Sequence, residues 1–157
     1  MMRGLIALAL TGTLLTLSAC GVPAGTADME IDMEALADKL LESELFDETL
    51  NQADDGIAEI LYDIDGASAA LVYIGSGAVA DELALFEFSN ITEAQSDVPL
   101  AEARIASQRD SFATYIPEEV PKLDHAVIDT YGPYLIVCVS DCDRASEIIS
   151  EYFEQEG

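Results

Sequence analysis

Two pairs of short apolar runs constrain the fold of this chain more than any other feature, because the members of each pair are close enough in sequence to form a β-hairpin. The first pair is 69–74 and 83–88, and the second pair is 126–131 and 134–139. Gly132 lies in the turn of the second pair, where glycine supplies a positive φ. The runs 69–74 and 134–139 are the most apolar, so we expect them to be central and adjacent. With the four runs numbered in chain order, this gives a strand order of 2-1-4-3.

Helical patterns occupy the segments around these hairpins. Asp32 is placed as the N-cap of an amphipathic helix that ends near Ser43. Asp54 and Asp55 precede a short second helix, whose first turn favours negative charge. A last helix begins at 140–141, and its apolar residues recur at helical spacing.

A longer helical stretch separates the two hairpins. Asn90 and Glu93 resemble a capping box, and the pattern continues as far as Tyr115. Pro99 lies inside it and predicts a kink, or a restart with Asp97 as the new cap. The side chains expected to face the core are Ile105, Phe112 and Tyr115.

These elements together predict an α+β fold. Pro117 and Pro121 make 118–122 irregular, so the element order is α-α-β-β-α-β-β-α. Two antiparallel hairpins with intervening helices imply a four-stranded antiparallel sheet with helices mostly on one face. We expect a single domain over residues 29–157.

The first twenty residues predict export. Arg3 gives a basic start, residues 4–17 are uncharged and mostly apolar, and Leu-Ser-Ala-Cys closes the segment. The run is too short to span about 30 Å of hydrocarbon, but it suits a signal peptidase. Its last four residues resemble the lipobox of bacterial lipoproteins, in which the cysteine is acylated and becomes the mature N-terminus. The alternative is an ordinary secretory signal with an unmodified Cys20.

The lipobox resemblance sets the expected location. It implies a cleaved signal peptide over 1–19, a lipidated Cys20, and a flexible tether within 20–28. Because two acyl chains are enough for a stable tether, no second membrane element is needed. We therefore expect the domain to be anchored in a cell membrane on its extracytoplasmic face.

The charge of the chain excludes nucleic acid as a partner. The sequence has 31 acidic side chains against 6 Lys and Arg, and loss of Arg3 with the signal leaves five cations and a formal charge of −26. Such a chain repels phosphate backbones, since binding them needs clustered Lys and Arg. The simplest interpretation of the acidity is solubility and repulsion from an anionic envelope. Cationic partners or a salty, acid-adapted habitat are the alternatives.

Two cysteines remain beside Cys20. Cys138 and Cys142 are four residues apart, so a disulfide forms only if the chain folds back near Ser140. The alternative is a pair of free thiols, with Cys138 buried inside an apolar strand. A lone pair of cysteines without nearby histidine is a weak metal signal.

Four blocks of the chain resemble a known family. They are Leu36–Leu41, Ala80–Glu87, Tyr115–Leu123 and Gly132–Val137, and the similarity covers roughly Met29 to Phe153. Together they resemble the small bacterial lipoproteins that contain domain of unknown function 4358. The resemblance implies a lipoprotein signal followed by one α+β domain, and it implies no reaction. Pro99, Cys138 and Cys142 depart from the family's usual pattern.

No catalytic constellation is visible in the sequence. His125 is the only imidazole, no Gly-x-Ser-x-Gly elbow occurs, and Gly75-Ser76-Gly77 lacks the lysine of a phosphate loop. Asp63–Gly66 and Asp54–Gly56 do not complete a calcium loop, and they suit turns and helix caps. We therefore predict no catalytic residue, no metal site and no cofactor.

The remaining candidate is a cationic recognition surface. Arg104, Arg109 and Lys122 are scarce cations in an acidic protein, and Tyr115 lies between the last two in sequence. If they converge, they could bind an anion or an acidic peptide. The alternative is that each cation neutralises a neighbouring acid.

We expect the chain to be a non-enzymatic binding or accessory module with an envelope protein or peptide as partner. One alternative is a surface hydrolase with paired carboxylates, which would need a deep pocket into which two carboxylates converge. The other is a cation-binding domain, whose melting temperature would rise with calcium.

Overall fold

The structure is a computed structural model, and it describes residues 29–156. Five α-helices and five β-strands lie along these residues. The helices are α1 (Met33–Leu41), α2 (Asp55–Tyr62), α3 (Ile91–Tyr115), α4 (Val120–Asp124) and α5 (Cys142–Glu156). The strands are β1 (Asn51–Gln52), β2 (Ala69–Ile74), β3 (Glu82–Glu87), β4 (Val127–Tyr131) and β5 (Tyr134–Val139). The predicted α+β class is confirmed.

The strands form one antiparallel sheet in the order β1-β2-β3-β5-β4. Both predicted hairpins are present, as β2 with β3 and β4 with β5. Gly132 has a φ of 55° in the second turn, as expected. The prediction of four strands was wrong, because the two-residue β1 pairs with the outer side of β2. Both residues of β1 are exposed, so it carries no apolar pattern to detect.

The predicted strand order 2-1-4-3 was also wrong. It placed 69–74 beside 134–139, whereas β3 lies between β2 and β5. The first five residues of β3 are buried, while β2 has only Val72 buried. Strand centrality therefore follows burial on both faces, which β3 achieves with apolar side chains at four consecutive positions, 83–86.

Helices cover both faces of the sheet, so the prediction that they lie mostly on one face was wrong. On one face, α2, α3 and α4 pack against Val72, Ala84, Phe86 and Val137. On the other face, α1 and α5 pack against Leu83, Leu85 and Ile136. Successive residues of β3 point to opposite faces, and each face needs its own helical cover to exclude water.

α3 is one continuous helix that includes Pro99. The restart with Asp97 as cap was therefore wrong. The start of the helix was predicted correctly, since the Asn90 side chain accepts a hydrogen bond from the Glu93 amide at 3.0 Å. Pro99 is tolerated because it lies on the exposed side of the helix.

The end of α3 differs from the prediction in one residue. Ile105 and Phe112 are buried as expected, but Tyr115 is 56% exposed. The Tyr115 ring packs beside the Phe112 ring, with 5.0 Å between the ring centroids, so Tyr115 extends from the buried Phe112 toward the surface. The segment that follows is not irregular, because a 3₁₀ helix (Pro117–Glu119) leads directly into α4. Pro117 and Pro121 each lie in the first turn of a helix. A backbone N–H at that position has no partner within the helix, so proline removes no helical hydrogen bond.

The other helix starts agree with the sequence. Asp32 caps α1 by accepting a hydrogen bond from the Ala35 amide at 3.0 Å. The apolar stripe of α5 faces the sheet through buried Ala145, Ile149 and Phe153. None of the helices within the described residues is both long and apolar enough to cross a bilayer. The predicted signal segment, Cys20 and the tether lie outside the described residues.

Candidate functional site

A buried carboxylate at the start of β3 is the centre of the candidate site. Glu82 is 1% exposed and points to the face of the sheet that α2 and α3 cover. Three side chains donate hydrogen bonds to it. The Tyr62 hydroxyl lies 2.6 Å from Oε1, Arg104 reaches both oxygens at 3.2 and 2.7 Å, and Gln108 Nε2 lies 2.6 Å from Oε2. Four bonds to one carboxylate compensate for its removal from water.

The arginine and the tyrosine are both tuned by this carboxylate. Burial alone would lower the pKa of Arg104, but the hydrogen bonds and charge of Glu82 outweigh it and raise that pKa above its usual value. Burial, followed by the charge of Glu82, raises the pKa of Tyr62 well above its usual value. The guanidinium carbon also lies 6.0 Å from the centroid of the Tyr62 ring. Arg104 therefore stays charged and is held from two sides.

One polar atom of this network has no partner. Gln108 Oε1 is buried and accepts no hydrogen bond within the described residues. The same carboxamide is fixed by its bond to Glu82, so it cannot turn without breaking that bond. A buried acceptor left without a donor destabilises a protein by about 1–3 kcal/mol. An unsatisfied buried acceptor in a native structure calls for an explanation, such as an ordered water or ion.

A cleft of about 330 Å³ opens over this network, and we call it the α3 cleft. Its walls come from α3 and from the loop between β2 and β3, and Glu82 and Arg104 lie in its lining. Six of its lining residues are on α3 at spacings of three, four, seven, eight and eleven from the first, so they share one helical face. They are Arg104, Ser107, Gln108, Ser111, Phe112 and Tyr115.

The loop wall of the α3 cleft is fixed by a carboxylate from outside it. Glu48 accepts hydrogen bonds from the Ser76 amide at 2.7 Å and from the Ser76 hydroxyl at 2.8 Å. A Cβ at position 75 would collide with the Glu48 carboxyl group, so a larger residue there would displace this flexible side chain from Ser76. This wall is therefore shaped before any ligand arrives.

A second ionic cluster lies next to the cleft. Lys122 Nζ contacts Asp81 at 2.8 Å, Asp47 at 2.6 Å and Glu119 at 3.1 Å. Burial alone would lower the pKa of Lys122, but the hydrogen bonds that it donates to these three carboxylates raise it strongly. Asp81 also accepts the Asp47 amide at 2.5 Å, and Glu119 accepts the Ala80 amide at 2.9 Å. The cluster ties α4 to the loop before β3.

The predicted cationic surface is only partly brought together. Arg104 and Tyr115 both line the α3 cleft. Arg109 is not in its lining and instead forms an ion pair with Asp124, and both partners are about half exposed. Lys122 is occupied by its three acids. Each of the three cations therefore contacts at least one acid, as the alternative interpretation expected.

Sequence reasoning missed the residues that complete the cleft. Glu82 and Gln108 were not singled out, although one signal pointed to each, and Ser76 was considered only as part of a phosphate loop. Glu82 directly precedes the apolar run 83–86 within a buried strand, which is an unusual place for a carboxylate unless a cation meets it. The polar residues of α3 recur at helical spacing from Arg104, which marks a polar face on a helix.

The two described cysteines are free thiols in this structure, and a disulfide between them stays a prediction. Burial raises the pKa of Cys138 to about 12, as expected for a core thiol. Cys142 and His125 line a second depression of about 300 Å³. Burial, and then the charges of Asp141 and Asp143, raise the pKa of Cys142, which is opposite to the shift of an activated nucleophile.

The remaining predictions about this part of the chain concern ligands. In residues 29–156, no group of three or more His, Cys, Asp or Glu side chains is arranged to hold a metal ion. His125 Nδ1 donates a hydrogen bond to the Pro121 carbonyl at 2.7 Å, so its proton is directed at the backbone.

Comparisons with known proteins bear on the family alone. No curated protein and no solved structure matches the chain. A family model described as a domain of unknown function, DUF4358, matches residues 43–140. The match runs from the end of α1 to the residue after β5, so it contains the whole sheet, α3 and every lining residue of the α3 cleft. The chain therefore belongs to the DUF4358 family.

Proposed function

We propose that this protein is a non-enzymatic binding or accessory module at the cell envelope, and that it takes its ligand in the α3 cleft. In this proposal, a lipid on Cys20 tethers the domain to the extracytoplasmic face of a membrane. The support for the tether is the signal-like segment that ends in Leu-Ser-Ala-Cys. The support for binding comes from the geometry of the cleft.

The observation that carries the proposal is a polar cleft whose α3 wall is held by hydrogen bonds. Arg104 and Gln108 line the cleft, and both side chains are held in place by Glu82. The opposite wall is fixed by the bonds from Ser76 to Glu48. A site whose two walls are set in advance loses little conformational entropy on binding.

A surface hydrolase with paired carboxylates is the second candidate, because Asp81 and Glu82 both line the cleft. In glycoside hydrolysis, one carboxyl group must give a proton and the other must attack or activate water. Glu82 accepts hydrogen bonds from three side chains, and Asp81 accepts from Lys122 and a backbone amide. Both carboxylates are thus engaged in ion pairs, which favours the binding module over the hydrolase.

The tether is tested by metabolic labelling with a clickable palmitate analogue. The wild-type chain should incorporate the label and fractionate with membranes, whereas the Cys20→Ala variant should do neither. Label on the variant, or none on the wild-type chain, would overturn the anchor.

The binding role of the cleft is tested by photo-crosslinking in cells. Tyr115 is replaced by p-benzoylphenylalanine, which keeps an aromatic ring at the cleft. Glu147 is replaced in the same way as the control, since it is exposed on α5 on the opposite side of the sheet. Adducts at position 115 and not at 147 are expected. Equal adducts at both positions, or none at either, would overturn the proposal.

A further inference from the structure

We infer that the ligand of the α3 cleft is a small neutral saccharide. This inference rests on the proposed binding function and adds the chemical class of the ligand. It follows from three properties of the lining, which are its charge, its hydrogen-bonding groups and its one exposed aromatic ring.

Charge argues against an ionic ligand. Arg104 is the single cation in the lining, and Glu82 neutralises it at 2.7 Å. The two carboxylates of the lining are likewise compensated, Glu82 by Arg104 and Asp81 by Lys122. A chain with a formal charge of −25 also repels anions at long range. A neutral ligand meets none of these penalties.

The hydrogen-bonding groups of the lining suit hydroxyls. Arg104 bonds to Glu82 through Nε and Nη2, which leaves Nη1 as a donor. Ser111 donates to a backbone carbonyl, so its oxygen remains able to accept. A hydroxyl group both donates and accepts, so a polyol matches this mixed set better than a ligand of one polarity.

Tyr115 supplies the apolar part of the site. It is 56% exposed at the end of the α3 face that lines the cleft, and Phe112 supports it from behind. An aromatic face attracts the slightly positive C–H edges of a pyranose ring, while the ring's hydroxyls point to polar neighbours. The volume of about 330 Å³ lies at the lower end of the range for ligand sites, which fits one or two sugar rings.

The test is a titration of the isotope-labelled protein by NMR with cellobiose, maltose and N,N′-diacetylchitobiose. At least one disaccharide should shift amide signals of 74–82 and 104–115 and leave α5 signals unchanged. Tyr115→Ala should weaken that binding about tenfold or more. Tyr115→Phe should keep it, and Glu147→Ala on the far side is the matched surface control.

Other probes separate this inference from the proposed function. Inorganic phosphate and a neutral tripeptide are titrated under the same conditions. Shifts of the cleft signals by either of these, with none by the three disaccharides, would overturn the saccharide and leave a binding cleft in place. Silence toward all probes would also overturn the saccharide, and the crosslinking at position 115 then decides the binding function separately.

Discussion

Glu82 shows how one residue can connect the stability of this protein with its cleft. It is almost fully buried and meets a guanidinium that is itself 18% exposed. Removing one partner of a buried ion pair costs about 3–5 kcal/mol, because the other charge is left without compensation. Loss of the Glu82 carboxylate would also leave Gln108 and Tyr62 without the acceptor that they share.

We predict that Glu82→Gln lowers the free energy of unfolding by about 3 kcal/mol or more. The urea midpoint measured by circular dichroism checks this. The control is Asp124→Asn, which breaks the exposed ion pair with Arg109 and should leave the midpoint nearly unchanged. If Glu82→Gln is too unstable to purify, the double variant Glu82→Gln, Arg104→Met removes both charges and should recover part of the loss. Equal midpoints for the two single variants would contradict the prediction.

Three residues give the protein a predictable response to alkaline pH. The folded state raises the pKa of Cys138, the pKa of Lys122 and the pKa of Tyr62 above their usual values. The unfolded chain releases the thiol proton above about pH 8.5 and the other two protons above about pH 10, while the folded chain keeps them. The unfolded state then binds fewer protons, so stability falls as pH rises, by up to about 1.4 kcal/mol per pH unit for each group.

We therefore predict a urea midpoint that changes little below about pH 8, begins to decline above about pH 8.5, and declines more steeply between about pH 9.5 and 11. Tyr62→Phe removes one of the three groups and should make the decline above about pH 9.5 shallower, even though its midpoint at neutral pH is lower. A decline of the same slope in both proteins would exclude Tyr62 as a contributor.

Sequence reasoning found residues of a rare type and missed residues whose role depends on a contact between distant parts of the chain. Arg104 and Tyr115 stood out because cations are rare here and an aromatic lay near them, and both line the cleft. Gln108 and Ser76 did not stand out, because polar side chains of these types are common on surfaces. Only the path of the chain brings Ser76 opposite α3, and no local pattern encodes that approach.

At the scale of elements, α3 is the scaffold of the cleft, and its continuity through Pro99 has a measurable consequence. Proline inside a helix removes one backbone hydrogen bond and crowds the carbonyl four residues earlier. Pro99 is exposed, so replacing it should cost no core contact.

We predict that Pro99→Ala raises the free energy of unfolding by about 1–2 kcal/mol, after allowing for the greater freedom of alanine in the unfolded chain. The urea midpoint measures the gain. Asn90→Ala at the start of the same helix is the opposing control, since it removes the cap and should lower stability by about 1 kcal/mol. A loss of stability in Pro99→Ala would mean that the proline shapes α3 in a way that its neighbours require.

Helix starts and hairpins, which depend on patterns within a short stretch of sequence, were predicted correctly. The strand order, which depends on pairing between distant segments, was not. The helix starts at Asp32 and Asn90 and both hairpins follow from short-range patterns. Strand order depends on which run is buried on both faces, and apolar content alone favoured 69–74 over β3. Cover on both faces was missed because the amphipathic stripes of the helices do not say which side of the sheet each one meets.

At the scale of the whole molecule, the surface is dominated by one sign of charge. The sequence carries 31 acidic side chains and 6 Lys and Arg, and three of those cations are already paired in or near the candidate site. Most carboxylates therefore face other carboxylates across water. Self-repulsion of this kind destabilises the compact state, since unfolding moves the charges apart.

We predict that sodium chloride stabilises the protein. Raising its concentration from about 0.02 to 0.5 M shortens the screening length several-fold, which weakens repulsion among the acids more than it weakens the few exposed ion pairs. The urea midpoint should rise and then level off.

A second titration with calcium chloride at matched ionic strength separates screening from specific binding. Equal rises point to screening alone, whereas a larger rise at low calcium concentration would favour the cation-binding alternative. A falling midpoint in sodium chloride would mean that the ion pairs of Arg109 and Lys122 outweigh the repulsion of the remaining acids.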